Sequence, residues 1–179
     1  GRTGTWLACE QWGVAPDVIT MAKSMAGGMP LSAIIGRAEI MDAPGPGGLG
    51  GTYAGSPVGC AAALAVLRAF EDEKLLERSK AVGARLVQSL QQIARDQRAI
   101  GDVRGLGAMV AMELFEPGTK TPDAELTRQV VAEAARRGLV LLSCGSYGNV
   151  IRVLVPLTAS DALLDEGLRI LADAFAAVR

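Results

Sequence analysis

A short apolar run closed by a lysine constrains this chain more than any other feature. Residues 14–23 read Val-Ala-Pro-Asp-Val-Ile-Thr-Met-Ala-Lys. Pro16 and Asp17 are turn residues, and Val18, Ile19, Thr20 and Met21 have the apolar, β-branched character of a buried strand. Lys23 stands at the end of that strand, with Ser24, Ala26, Gly27 and Gly28 behind it. Burying an ammonium group is costly. Such a lysine either snorkels to the surface on its aliphatic stem or serves chemistry, because a desolvated amine can attack a carbonyl. The small residues that follow would leave room for a flat ring beside it.

The rest of the pattern is mixed α and β. Residues 31–36 read as a second strand and residues 38–41 as a helical turn. Residues 44–57 form a loop rich in glycine, whose backbone can approach a ligand closely. Ser56-Pro57 reads as an N-cap and first-turn proline. A long helical stretch follows, with Leu64, Leu67 and Phe70 and then Val82, Leu86, Leu90 and Ile93 at helical spacing. A bend or break is expected near Asp72 or at Gly83. Residues 108–114 read as a strand, and residues 122–137 as a helix stopped by Gly138. Residues 139–142 and 150–154 read as strands paired across the turn at 145–148. The last helix places Leu164, Leu168, Leu171 and Phe175 on one face, with Thr158 and Asp161 as its expected capping box. Residues 1–65 are therefore expected to end an α/β layer. Residues 66–179 are expected to form a long helix leading into a compact α+β domain.

Composition removes several classes of function. Half of the 179 residues are hydrophobic and the net charge is -1, so a core is easily built and no basic stripe for nucleic acid exists. No apolar run is long enough to span a bilayer, and no signal peptide is visible. The absence of histidine excludes a Ser-His-Asp triad, a Cys-His pair and His-based metal sites within the chain. Cys9, Cys60 and Cys144 share no metal or redox spacing and read as reduced thiols of a cytoplasmic protein. The stretch Gly45-Pro46-Gly47-Gly48-Leu49-Gly50 satisfies a dinucleotide pattern, but it follows no strand and opens no helix, so it is set aside. The start at Gly1-Arg2-Thr3-Gly4, without methionine, suggests a chain cut in mid-protein.

Several longer motifs stand in one order along the chain. They are Thr-Met-Ala-Lys-Ser-Met-Ala-Gly-Gly-Met-Pro at 20–30, Gly50-Gly51-Thr52-Tyr53, Val103-Arg104-Gly105-Leu106-Gly107 and Gly148-Asn149-Val150-Ile151-Arg152. Together they resemble the class III, or omega-, aminotransferase family, from Gly1 to the C-terminus. The resemblance implies a fold-type I pyridoxal-phosphate-dependent transferase. Residues 1–65 would end its large cofactor-binding α/β domain, and residues 66–179 would supply a connecting helix and the C-terminal α+β small domain.

By that resemblance Lys23 holds pyridoxal phosphate as a Schiff base and then serves as proton carrier. Thr52 binds the cofactor phosphate of a neighbouring subunit, so a homodimer or larger homo-oligomer is implied. Arg152 binds the carboxylate of glutamate or 2-oxoglutarate through a bidentate fork, and Arg104 is structural. No metal, nucleic acid or membrane partner is implied. The implied reaction moves the amino group of an ω-amino acid to 2-oxoglutarate. The strings Met-Asp-Ala-Pro and Ser-Tyr-Gly-Asn-Val-Ile-Arg point to 4-aminobutyrate as donor, with succinate semialdehyde and glutamate as products. The alternatives are 5-aminovalerate, ornithine and acetylornithine, or a truncated fragment that is not catalytic. The family's aspartate that pairs with the pyridine nitrogen has no counterpart in these residues, so the chain alone is expected to be inactive.

Overall fold

The computed structural model describes residues 1–178 and gathers them into two compact units, residues 7–75 and residues 1–6 with 76–178. In the first unit, a 3-10 turn at Ala8–Trp12 precedes strand β1, Val18–Met21. β1 pairs antiparallel with β2, Ala33–Gly36, from Val18 opposite Gly36 to Met21 opposite Ala33. A second 3-10 turn, Lys23–Ala26, leaves β1, and helix α1, Ala38–Met41, follows β2. The glycine-rich loop then runs to helix α2, Pro57–Asp72, which packs on the Lys23–Ala26 turn. Pro57 occupies the first turn of α2 as expected, where its missing N–H has no partner to lose. Ser56 is at the N-cap position, yet its side chain accepts no capping bond.

The break expected after Asp72 falls at Glu73 and Lys74, where Lys74 takes φ +51°. Helix α3, Leu75–Asp96, runs on through Gly83, so the alternative bend there does not occur.

The second unit is a four-stranded antiparallel sheet in the order β3-β4-β6-β5. Its strands are β3 (Ile100–Leu106), β4 (Met109–Leu114), β5 (Leu142–Cys144) and β6 (Val150–Leu154). Helices α4, Ala124–Arg136, and α5, Asp161–Ala177, join α3 over one face. Val110, Met112 and Leu114 alternate inward from β4 and are fully buried, as is Ile151 of β6. They meet Val82, Leu86 and Leu90 of α3, Val130 and Ala134 of α4, and Leu171 and Phe175 of α5 in one apolar core.

Three expectations are corrected. β3 was not expected as a strand: it is an edge with little burial and carries Gly101, Asp102, Arg104 and Gly105, so it lacks apolar alternation. The strand expected at 139–142 lies at Leu142–Cys144 instead, because Leu141 turns into the core while Val140 remains exposed. The cap of α5 is Ser160, whose hydroxyl accepts from the Leu163 N–H at 3.2 Å. Thr158 lies two residues too early, in the bend closed by Ala159 N–H donating to the Pro156 carbonyl.

Asp161 begins α5, where an anion suits the helix dipole, and pairs with Arg78 of α3 at 2.7 Å and with Arg85 at 3.4 Å. The hydrogen bond from Arg78 holds its carboxyl below the ordinary aspartate value. A lowered carboxylate pKa adds stability above the unfolded value and loses it as pH falls through the folded one. Asp161→Asn is therefore expected to lower the urea midpoint at neutral pH. The gap from wild type should close below the usual carboxylate range, and a gap independent of pH would show that charge is not its origin.

Candidate functional site

Lys23 is reached by an abrupt change of backbone. Ala22 is fully extended, at φ -159° and ψ -158°, and Lys23 then turns to φ +60°. Only Lys23 and Lys74 combine a side chain with positive φ among the described residues. A non-glycine residue in that region is strained by about 1–2 kcal/mol, so the surrounding structure has to enforce it. It does so by closing the turn with the Gly27 N–H donating to the Ser24 carbonyl at 3.1 Å and by burying Ala26. Beneath it Gly27 abuts α2, where an added Cβ would stand 3.2 Å from Val66 Cγ2.

The burial expected for Lys23 is not found: its side chain is exposed in this chain. The β1–β2 ribbon is likewise open in this chain, with Val18, Ile34 and Ile35 42%, 54% and 54% exposed. Lys23 has no hydrogen-bonding or ion-pair partner for its amine among the described residues. The result is a primary amine, unpartnered among the described residues, on a strained turn.

Thr52 lies in the loop between α1 and α2. Backbone bonds from Gly48 to Gly45, from Ala54 to Gly51 and from Ser56 to Tyr53 shape that loop as successive turns. The Thr52 hydroxyl is exposed, and the loop edge around it forms a recess with residues 30–34, the segment that follows the Lys23 turn. Lys23 is not among the residues lining this recess. Unpaired backbone N–H groups beside a hydroxyl suit an anion such as a phosphate.

Arg152 belongs to the other unit, at the centre of β6. Its neighbours Ile151 and Val153 point into the core, which places Arg152 on the face away from the helices. Its Nε is buried and has no hydrogen-bond partner, and the residue forms no ion pair among the described residues. Arg104 offers the contrast. It stands in the same row, with Ala111 between the two arginines in the ladder. Arg104 is bonded to Asp102 and, at 2.7 Å, to Glu113, and these carboxylates raise its pKa. Arg104 is thus paired within its own sheet, whereas no carboxylate of the described residues pairs with Arg152.

Sequence reasoning assigned no role to Asn149. It is 1% exposed, its side-chain amide donates to the Leu114 carbonyl at 2.9 Å, and its backbone carbonyl accepts from the Leu114 N–H at 2.8 Å. These bonds fix the start of β6. A buried asparagine must be satisfied, but its partner on β4 cannot be read from spacing.

Comparisons with known proteins show the family of the chain. The profile of the family "Aminotransferase class-III" matches residues 1–175. The chain is 64% identical over 178 residues to the 5-aminovalerate aminotransferase DavT of Pseudomonas putida, covering 99% of this chain and 42% of that protein. It is 58% identical over 176 residues to the 4-aminobutyrate aminotransferase GabT of Escherichia coli, covering 98% of this chain and 41% of that protein. The chain thus spans about two fifths of the length of these relatives. Among solved structures, a transaminase from the marine bacterium Virgibacillus superposes with a TM-score of 0.91 at 29% identity, over 99% of this chain and 43% of that one. An amine transaminase from an uncultivated Pseudomonas species, in its PLP-bound form, gives 0.87 at 36% identity, over 100% of this chain and 42% of that one.

An arginine with no ion pair inside the described structure should be dispensable to the fold. Arg152→Met removes a buried, unpartnered donor while keeping aliphatic volume, and is expected to leave the urea midpoint unchanged or raise it. A loss of more than ~2 kcal/mol would mark Arg152 as a structural partner instead.

Proposed function

Because the chain belongs to the class-III aminotransferase family, we propose that the protein carrying it moves the amino group of an ω-amino acid to 2-oxoglutarate, with pyridoxal phosphate as cofactor. The observation that carries this reading is the free amine of Lys23, held at φ +60° with no internal partner. When bound, the cofactor supplies the electron sink for the carbon that bears the amine.

The chain's own residues supply the rest. Nζ of Lys23 would hold the cofactor and would carry the proton at the substrate's amine-bearing carbon. One neutral amine can give and take that proton, which suits a chain without histidine. Thr52 and the backbone N–H groups of its loop hold the phosphate of a neighbouring subunit's cofactor, which makes the protein a homodimer or larger homo-oligomer. Arg152 pairs with the carboxylate of glutamate or 2-oxoglutarate. Residues 1–65 form the end of the large cofactor-binding domain, and residues 66–179 the connecting helix and small domain. The three free cysteines favour a cytoplasmic location.

The donor is an ω-amino acid of four or five carbons. The sequence motifs favour 4-aminobutyrate, while the 64% identity to a 5-aminovalerate aminotransferase favours the longer homologue equally. One methylene separates the two, a difference that pockets discriminate only modestly.

Glutamate formation by the full-length protein from each donor with 2-oxoglutarate tests the proposal. Turnover is expected with 4-aminobutyrate or 5-aminovalerate above ornithine and acetylornithine, with a fall of at least ~10²-fold in Lys23→Ala, the scale of a lost proton carrier. The 179-residue chain alone is expected to form no glutamate. Turnover that survives in Lys23→Ala would overturn the reading.

A further inference from the structure

The first residues of the chain meet the turn between β3 and β4. The Arg2 carbonyl accepts from the Ala108 N–H at 3.0 Å and from the Ser79 hydroxyl at 2.7 Å. Ser79, on α3, is fully buried, and its oxygen also accepts from the Ala108 N–H at 3.2 Å. Three backbones meet here with no room for a side chain. A Cβ on Gly107 would lie 2.4 Å from the Thr3 carbonyl carbon, and one on Gly83 would lie 1.9 Å from the Gly107 carbonyl oxygen. The half-buried Arg2 guanidinium adds a further tie through Nη1, which donates to the Val155 carbonyl.

These ties converge on one end of one ladder. Ala108 precedes β4 and Val155 follows β6, and the last rung there pairs Met109 with Leu154. The rung of Ala111 with Arg152 lies two steps further in, so Arg152 is about 10 Å along the strand from Val155. No hydrogen bond or ion pair among the described residues fixes the Arg152 guanidinium, and its Nε is unpartnered. The direction in which β6 presents that side chain therefore depends on how the end of the ladder is held.

We propose that residues 1–5 act as a strap that sets the β4–β6 ladder and so aims Arg152, with Ser79 and Arg2 as positioning residues for carboxylate binding. The role rests on the reading of Arg152 as the carboxylate-binding residue. Ser79→Ala removes both bonds of the Ser79 hydroxyl and leaves the Arg2–Ala108 bond in place, so the fold should persist. Arg2→Gln removes the tie to Val155.

The test uses the full-length enzyme with Ser79→Ala, Arg2→Gln, Arg2→Lys and Arg152→Ala. In Ser79→Ala and Arg2→Gln, KM for 2-oxoglutarate is expected to rise roughly fivefold, the factor carried by a single hydrogen bond. The rate of the amine-donor half-reaction should stay within about twofold, because the ties lie outside the Lys23 turn. Arg2→Lys should recover part of the loss, and amide exchange at 151–155 should quicken in the variants that raise KM. Unchanged KM and unchanged exchange would overturn the strap. Faster exchange with unchanged KM, while Arg152→Ala raises KM, would show a tie that holds the strand without aiming Arg152, and would overturn the positioning role. If Arg152→Ala itself leaves KM unchanged, the carboxylate reading falls and takes the positioning role with it. That result is separable because it appears in the Arg152 variant alone.

Discussion

Val110, Met112 and Leu114 turn inward from β4, Ile151 and Val153 turn inward from β6, and three helices close over them. Most of what the second unit can do depends on that burial. Side chains alternate with a period of two, so a slip of one residue would send the apolar set into water and draw Arg152 into the core. The cost of such a slip fixes the register, and the register places Arg152 in the outward row with Ala111 and Arg104. The same row separates two roles for one residue type. Arg104 is neutralised by Asp102 and Glu113, whereas Arg152 has no carboxylate beside it.

In the first unit the decisive constraint is local. β1 ends in an extended residue, and the chain must reverse before β2, so the strain of a left-handed residue falls on Lys23. Glycine would be the unstrained choice there. A lysine in its place exchanges backbone comfort for an amine on a turn that α2 backs through Gly27. The proposed chemistry needs such an amine, free of internal partners.

Much of this was legible in the residues. The β-branched run at 18–21 announced β1, Ser56-Pro57 announced the start of α2, and the spacing of Val82, Leu86 and Leu90 announced the buried face of α3. The site residues were found through motifs that resemble a family, not through periodicity. What escaped was set by tertiary contact. β3 is an edge strand whose polar residues show no alternation, and Leu139 and Leu141 are apolar because they pack from a connection and not from a ladder. Ser160 outcompetes Thr158 as cap only because residues 156–159 bend first. The left-handed turn at Lys23 has no signal in composition, since lysine does not favour it. The exposure of its side chain could not be read either, because the apolar run at 18–21 looks the same in a ribbon open on both faces as in a covered sheet.

The central claim is that Lys23, of the four lysines in the chain, holds the cofactor. Incubating the full-length protein with pyridoxal phosphate, reducing with borohydride and sequencing the modified peptide by mass spectrometry tests this directly. The account predicts a single modified site, at Lys23. Modification confined to Lys74, Lys80 or Lys120, or no stable modification, would contradict it.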